Sequence, residues 1–314
     1  MKFKFWNISK SFLAIGKTQE STETTEYKRY IGLGSTYIKG VQPSKKEIDA
    51  FFGFDSQAEP EYLKDGENGK EAHITFLLQT DPETCNGIEL KSRAMFTLRA
   101  VPAYNRDQTK VQVIDDYGNY TWVNTEDAKA GKAVTHNGNP AKIDTKYHIA
   151  CVGECDLVTF LKKYLCVQDA FNYVNGTWVK KENADEYKFA LEHIKDYFKG
   201  DFKELKEAIA LQPNNKVKLL YGVRTTNEGK QYQAVCTRGE LVLYNNANAN
   251  AVTRLEKDLA NAKQNGAYQT TDYRVQELQE WNVQPTNLEK PASDTDNMPF
   301  DTPSAGSESG MPWD

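Results

Sequence analysis

Between Thr25 and Asn124 one strand pattern follows another, separated mostly by gaps too short for a crossover helix. The segments are TEYKRYIGLGSTYIKGVQP, EAHITFLLQT, IELKSRAMFTLRAV, and KVQVIDDYG with NYTWVN behind it. Parallel strands need connections of a dozen or more residues, whereas antiparallel ones can be joined by tight turns. Four or five such strands therefore predict a small antiparallel barrel or sandwich and argue against a sheet with alternating helices. Gly32 and Gly34 in the first segment allow a bulge or a close backbone approach.

Helical periodicity enters in four places. In SKKEIDAFFG, Ser44 is a good N-cap, Glu47 completes a capping box and Gly53 can close the helix. CDLVTFLKKYLCV brings Leu157, Phe160, Leu161, Tyr164 and Leu165 to one face. The run ADEYKFALEHIKDYFKGDFKELKEAIAL reads as one long helix or two joined near Gly200. The polar, basic stretch KAGKAVTHNGNPAKIDT, residues 129–145, reads as a long loop. KVKLLYGVRTTNEGKQYQAVCTRGELVLY restores strand character, and its Asn-Glu-Gly turn predicts a hairpin that extends or closes the first sheet. A last helix is predicted in AVTRLEKDLANAKQNG, ending at Gly266. The expected organisation is a mixed α+β body over residues 1–290, its helical portion about 155–210, followed by a segment of different chemistry.

That segment, residues 291–314, has four Asp, one Glu and no basic residue, which accounts for the whole formal charge of −5. Residues 1–290 carry 39 basic and 39 acidic side chains and are neutral. The Pro, Ser, Gly and Asp composition of 291–314 cannot bury enough apolar surface to fold alone, so a disordered tail is expected. Met298, Phe300, Met311 and Trp313 are then apolar groups that no fold uses, and a partner pocket with a basic rim is their expected destination.

Within the body, residues 1–46 hold nine Lys or Arg against three Glu, and Lys2, Phe3, Lys4, Phe5 and Trp6 alternate charge with ring. Basic and aromatic groups also adjoin at Tyr27, Lys28, Arg29 and Tyr30, and at Lys91, Arg93, Phe96 and Arg99. Ammonium and guanidinium groups meet phosphates while ring faces accept any base, so such a mixture suits single-stranded nucleic acid. With a period of two, Lys91, Arg93 and Met95 share one face while Phe96 and Leu98 point to the core. The expected nucleic-acid contacts are Lys28, Arg29, Tyr30, Lys91, Arg93, Arg99 and Tyr104.

Other chemistries find weaker support. IGLGSTYIKG lacks both the third glycine of a dinucleotide fingerprint and a phosphate-loop Gly-Lys-Ser/Thr. His73, His136, His148 and His193 accompany no nucleophile motif. A zinc site at His148, Cys151, Cys155 and Cys166 has unusual spacing, and core packing competes for the cysteines. Asp81, Glu83, Asp115 and Asp116 keep a metal-dependent nuclease open. Five unevenly placed cysteines describe no disulfide framework. No apolar run reaches the 18 or more residues of a membrane span, and the start MKFKFWNISK lacks the long apolar segment of a secretory signal, so a cytoplasmic protein is expected.

The segment Asp296-Asn297-Met298-Pro299-Phe300 resembles the Asp-Asp-Ile-Pro-Phe tip of bacterial single-stranded DNA-binding proteins, and Gly310-Met311-Pro312-Trp313 repeats its apolar part. YIGLGSTYIKGVQPSKKEIDAFFG and VGECDLVTFLKKYL are similar to stretches in proteins of that role from phages infecting gut bacteria. The resemblance implies an OB-fold-like barrel elaborated by helices and a non-catalytic, cofactor-free protein of the host bacterial cytoplasm. It also implies sequence-tolerant binding of single-stranded DNA during phage replication or recombination. Replication or recombination proteins would then dock on Met298, Pro299, Phe300, Asp301, Met311, Pro312, Trp313 and Asp314. Here Asp301 follows Phe300 and Asp314 follows Trp313, so a pocket that reads a terminal Phe carboxylate would be filled differently. A phage structural or assembly protein is the alternative that needs no DNA.

Overall fold

The structure, a computed structural model, describes residues 28–56, 58–66, 69–188, 194–225, 231–237, 242–245 and 277–280. Lys2 to Trp6, Tyr27, His193, the Asn-Glu-Gly turn, the helix expected before Gly266 and all of 291–314 lie outside the described residues. In chain order the first elements are β1 (Tyr30–Val41), α1 (Lys45–Phe52), β2 (Leu63–Gly66), β3 (Gly69–Thr80), β4 (Lys91–Pro102), β5 (Lys110–Asp115), β6 (Tyr120–Asn124) and α2 (Thr125–Lys129). The middle of the chain forms β7 (Thr135–His136), β8 (Asn139–Pro140), β9 (Tyr147–Ile149), β10 (Cys151–Val152), α3 (Glu154–Tyr164), β11 (Phe171–Val174) and β12 (Thr177–Lys180). A 3₁₀ turn (Ala184–Tyr187), α4 (Ile194–Tyr197), α5 (Lys203–Ala210), β13 (Val217–Thr225), β14 (Gln231–Cys236), β15 (Leu243–Tyr244) and β16 (Gln279–Glu280) follow.

Strands dominate this α+β fold. The main sheet runs β10-β4-β3-β1-β13-β14, with β2, β15 and β16 attached, and curls as an antiparallel half-barrel. β13 and β14 pair as the hairpin expected from the sequence, and β13 adds to β1, extending the first sheet. β1 is the pivot, pairing with β13 from Gly32 to Thr36 and with β3 from Thr36 to Val41. The register slips between Ile38 and Gly40, which places the bulge at Lys39 and not at Gly32 or Gly34. Gly34 serves close approach instead: a Cβ there would lie 3.0 Å from the Tyr221 ring and 3.2 Å from the Thr80 methyl. Ser44 and Glu47 form the expected capping box on α1, and Gly53 closes it in the left-handed conformation at φ 78°.

One face of the curled sheet is filled by helices. The rings of Phe76 on β3, Phe96 on β4 and Phe160 on α3 meet with centroids 5.1–5.8 Å apart. Leu157, Leu161 and Tyr164 of α3 join them, with Ile194, Tyr197, Phe202, Leu205 and Ile209 from α4, α5 and their junction. Apolar residues at helical spacing on α3 and at every second position of β3 and β4 produce this interior, as the periodicities require. A satellite sheet of order β6-β5-β9 encloses its own small core around Val111, Val113 and Val123.

Two expectations need correction. The supposed helical portion, 155–210, is interrupted by the β11–β12 hairpin, because FNYV and TWVK flank an Asn175-Gly176 turn that strongly favours a hairpin. The supposed long loop 129–145 contains the small β7–β8 ladder, in which Thr135 pairs with Pro140 across Asn137 and Gly138, both at positive φ. A break near Gly200 does occur: that residue sits at φ 85° between α4 and α5.

Candidate nucleic-acid interface

The outer face of the half-barrel is read directly from β4. Ala94, Phe96 and Leu98 are buried, while Lys91, Arg93, Met95, Thr97 and Arg99 alternate with them on the opposite side. Register carries this face across the sheet: Lys91 lies opposite Gln79 of β3, and Gln79 opposite Tyr37 of β1. On the far side of β1, Ser35, which shares Tyr37's face, lies opposite Lys218 of β13. Three interstrand steps separate β13 from β4, about 14 Å at the usual spacing.

Along this row lysines and rings interleave. Tyr37 lies beneath two ammonium groups, Lys39 at 4.4 Å and Lys216 at 5.0 Å from the ring centroid, and Lys91 stands 5.3 Å from the centroid of Phe51 on α1. Lys216 is fixed by Asp81, 2.5 Å away. Burial alone would raise the Asp81 carboxyl, but hydrogen bonds from Lys216, Thr84 and the Glu83 backbone outweigh it and hold the group below the ordinary carboxylate range. The same hydrogen bond, with one to Tyr37, raises Lys216 and keeps it charged. Lys39, Lys91 and Lys218 have no carboxylate partner among the described residues.

Of the residues expected from sequence, Lys91, Arg93 and Arg99 share this face, but Arg99 is held by Glu71 at 2.9 Å. His73 also approaches Glu71, at 3.6 Å, and burial and the charge of Lys64 lower its pKa, leaving Glu71 chiefly to Arg99. Lys28 is paired with Glu280 at 2.9 Å, and an Arg29 Nη1–H donates to the Lys28 carbonyl at 3.3 Å. Tyr30 is held at its backbone by the Gln233 amide, which accepts from its N–H and donates to its carbonyl, both at 2.8 Å. Tyr104 belongs elsewhere: it bridges to Val111 and packs half-buried against the satellite core, so its ring is not a free platform on the main sheet.

The row also takes in Tyr37, Lys39, Lys216, Lys218 and Phe51, which the sequence does not single out. Lys39 and Tyr37 carried a local signal, a basic residue beside an aromatic one on a strand. Lys216 and Lys218 carried none, since β13 reaches β1 only through pairing across some 180 residues of sequence.

Several residues of the competing sites make contacts within the fold. His148 Nε2 meets Glu154 Oε1 at 2.6 Å, and the other Glu154 oxygen accepts the Cys151 N–H at 2.8 Å. Burial, with Glu154 beside them, pushes the Cys151 and Cys155 thiols up and keeps them protonated at neutral pH. Cys155 opens α3 and Cys166 follows its far end, about 16 Å along the axis, so the four candidate zinc ligands do not converge. Asp115 is buried under N–H groups of Tyr117, Asn119 and Asp144, a turn-holding role, and burial raises its pKa. Glu83 and Asp116 are exposed, and no three His, Cys, Asp or Glu among the described residues are grouped to hold one metal.

No family model, curated protein or solved structure matches this chain. Among the described residues no helix is long and apolar enough to cross a membrane. The functional reading therefore rests on the arrangement of the residues themselves.

Proposed function

We propose that the chain binds single-stranded DNA across the outer face of an OB-like half-barrel, without regard to sequence and without catalysis, and that residues 291–314 recruit partner proteins in phage replication or recombination. The supporting observation is the row of Lys218, Lys216, Lys39, Lys91 and Arg93 interleaved with Tyr37 and Phe51. Lys39, Lys91 and Lys218, which have no carboxylate partner among the described residues, are available to phosphates, and ring faces along the row accept a base of any identity. Both parts of the row must act together, because a duplex would hide its base faces.

The test is anisotropy of labelled dT and mixed-sequence oligonucleotides over a salt series, for the full chain and for a Lys39→Ala, Lys91→Ala, Lys218→Ala variant. Each phosphate contact on a single strand contributes about 0.7 to the slope of log affinity against log salt, so the triple variant should flatten that slope by up to about 2. A wild-type protein that binds neither oligonucleotide, or a triple variant with an unchanged slope, would refute the reading.

A further inference from the structure

Lysine ammonium groups lie over aromatic faces at two places among the described residues: the outer face above, and the β11–β12 hairpin with its surroundings. At the second, Lys142 stands 4.7 Å from the Trp178 centroid, Lys180 4.8 Å from Tyr117 and Lys181 4.8 Å from Tyr187. Such contacts occur about once per 70–80 residues in ordinary proteins, so three around one hairpin mark a concentration.

The hairpin is anchored at one end and bare at the other. Phe171 is buried edge-on against Tyr117 at 6.0 Å, and the Tyr117 hydroxyl donates to Asp185 at 2.9 Å, which ties the base to the 3₁₀ turn. At the tip, Asn175 and Gly176 at φ 50° and 84° make the turn. Just before it Tyr173 pairs across the ladder with Trp178, ring centroids 5.0 Å apart. Tyr173 is 64% exposed, and on the other face Val174 and Val179 are 46% and 47% exposed. A large ring held open to water on a rigid base has no role in this fold's own core.

We infer that this hairpin is a second contact for single-stranded nucleic acid, a finger whose Tyr173 ring stacks on a base while Lys181, at the base of the hairpin, meets a phosphate farther along the strand. The inference rests on the reading proposed above and adds a site to it. Charge within the hairpin favours this occupant over an apolar protein surface: strands and turn, residues 171–180, carry no acidic residue, and Lys180 and Lys181 close them before Glu182. Lys142 and Lys180 are steadied by Asp169 and Asp144, which hold them at the rings, whereas Lys181 has no carboxylate partner among the described residues.

Labelled dT oligonucleotide is titrated into the full-length protein and its Tyr173→Ala, Tyr173→Phe and Lys181→Ala variants over a salt series, with circular-dichroism melts as the control for folding. Stacking on one ring predicts that Tyr173→Ala weakens binding roughly 5- to 150-fold with an unchanged salt slope and that Tyr173→Phe restores it. Lys181→Ala should lower the slope by about 0.7. Trp178→Phe provides an independent readout, since it should remove part of the tryptophan quenching that DNA produces. If wild type binds and Tyr173→Ala binds equally well, or if Trp178→Phe leaves the quenching unchanged, the finger is refuted while the outer face stands. If wild type does not bind at all, both fall. If Tyr173→Ala keeps DNA affinity but sediments as a smaller species, the hairpin joins copies of the chain and the inference is overturned.

Discussion

At the scale of single residues, the outer face depends on a buried acid beneath it. Asp81 is nearly inaccessible, yet it stays ionised because Lys216, Thr84 and the Glu83 N–H all donate to it. Its carboxyl therefore lies below the value of about 3.9 expected in the unfolded chain, and the stabilisation it brings is present above that value and lost as pH falls through the folded one. Asp81→Asn should cost about 1–3 kcal/mol at pH 7, the range for a buried group deprived of its charged partner. Denaturant melts of both proteins from pH 7 to pH 3 check this: the gap should begin to narrow below about pH 4, where the unfolded carboxyl takes up a proton, and go on narrowing as pH falls toward the lower folded value. A gap constant across that range would show that the Asp81–Lys216 pair contributes no pH-dependent stability. Since Lys216 sits over Tyr37, the same variant should also loosen the aromatic row and weaken DNA binding at neutral pH.

At the scale of elements, α3 links the interior to the exterior. Its Phe160 closes the ring cluster under β3 and β4, and Phe160→Ala should cost about 3–5 kcal/mol, read as a fall in denaturation midpoint with little change in slope. Less than about 1 kcal/mol would mean that α3 is not seated on the sheet as described. The periodicity of α3 was legible because all its apolar contacts lie on one stripe. β4 was equally legible, since its alternation of Lys91, Arg93 and Met95 with Ala94, Phe96 and Leu98 states its two faces outright. The α1 caps were local and read in full. The hairpin at 171–180 was hidden by its neighbours, because its two strands of four residues each sit between helical patterns on either side. The placement of Tyr104 was not legible, because nothing local distinguishes a ring offered to solvent from one packed on a satellite core.

At the scale of the molecule, charge is divided between parts that the sequence separates cleanly. The 39 basic and 39 acidic side chains of residues 1–290 cancel, yet the outer face keeps Lys39, Lys91 and Lys218 without carboxylate partners among the described residues, so neutrality of the body conceals a positive surface. That surface was only half legible: β4 displays its share locally, whereas the lysines of β13 reach the face by long-range pairing. Residues 291–314 place five negative charges on the same polypeptide, and their field opposes an approaching phosphate backbone at any distance within a Debye length. Deleting them should raise affinity for dT oligonucleotides most at about 0.01 M salt, where that length is about 30 Å, and scarcely at 1 M, where it is about 3 Å. Phe300→Ala combined with Trp313→Ala leaves all five charges in place, so it should preserve the wild-type salt curve while impairing capture of replication partners. Binding curves for wild type, truncation and double variant at several salt concentrations separate the two effects. Identical affinities for wild type and truncation at low salt would refute the electrostatic opposition, and partner capture undiminished by the truncation would refute docking through the Met-Pro-aromatic units. The two outcomes are independent, because one depends on net charge and the other on Phe300 and Trp313.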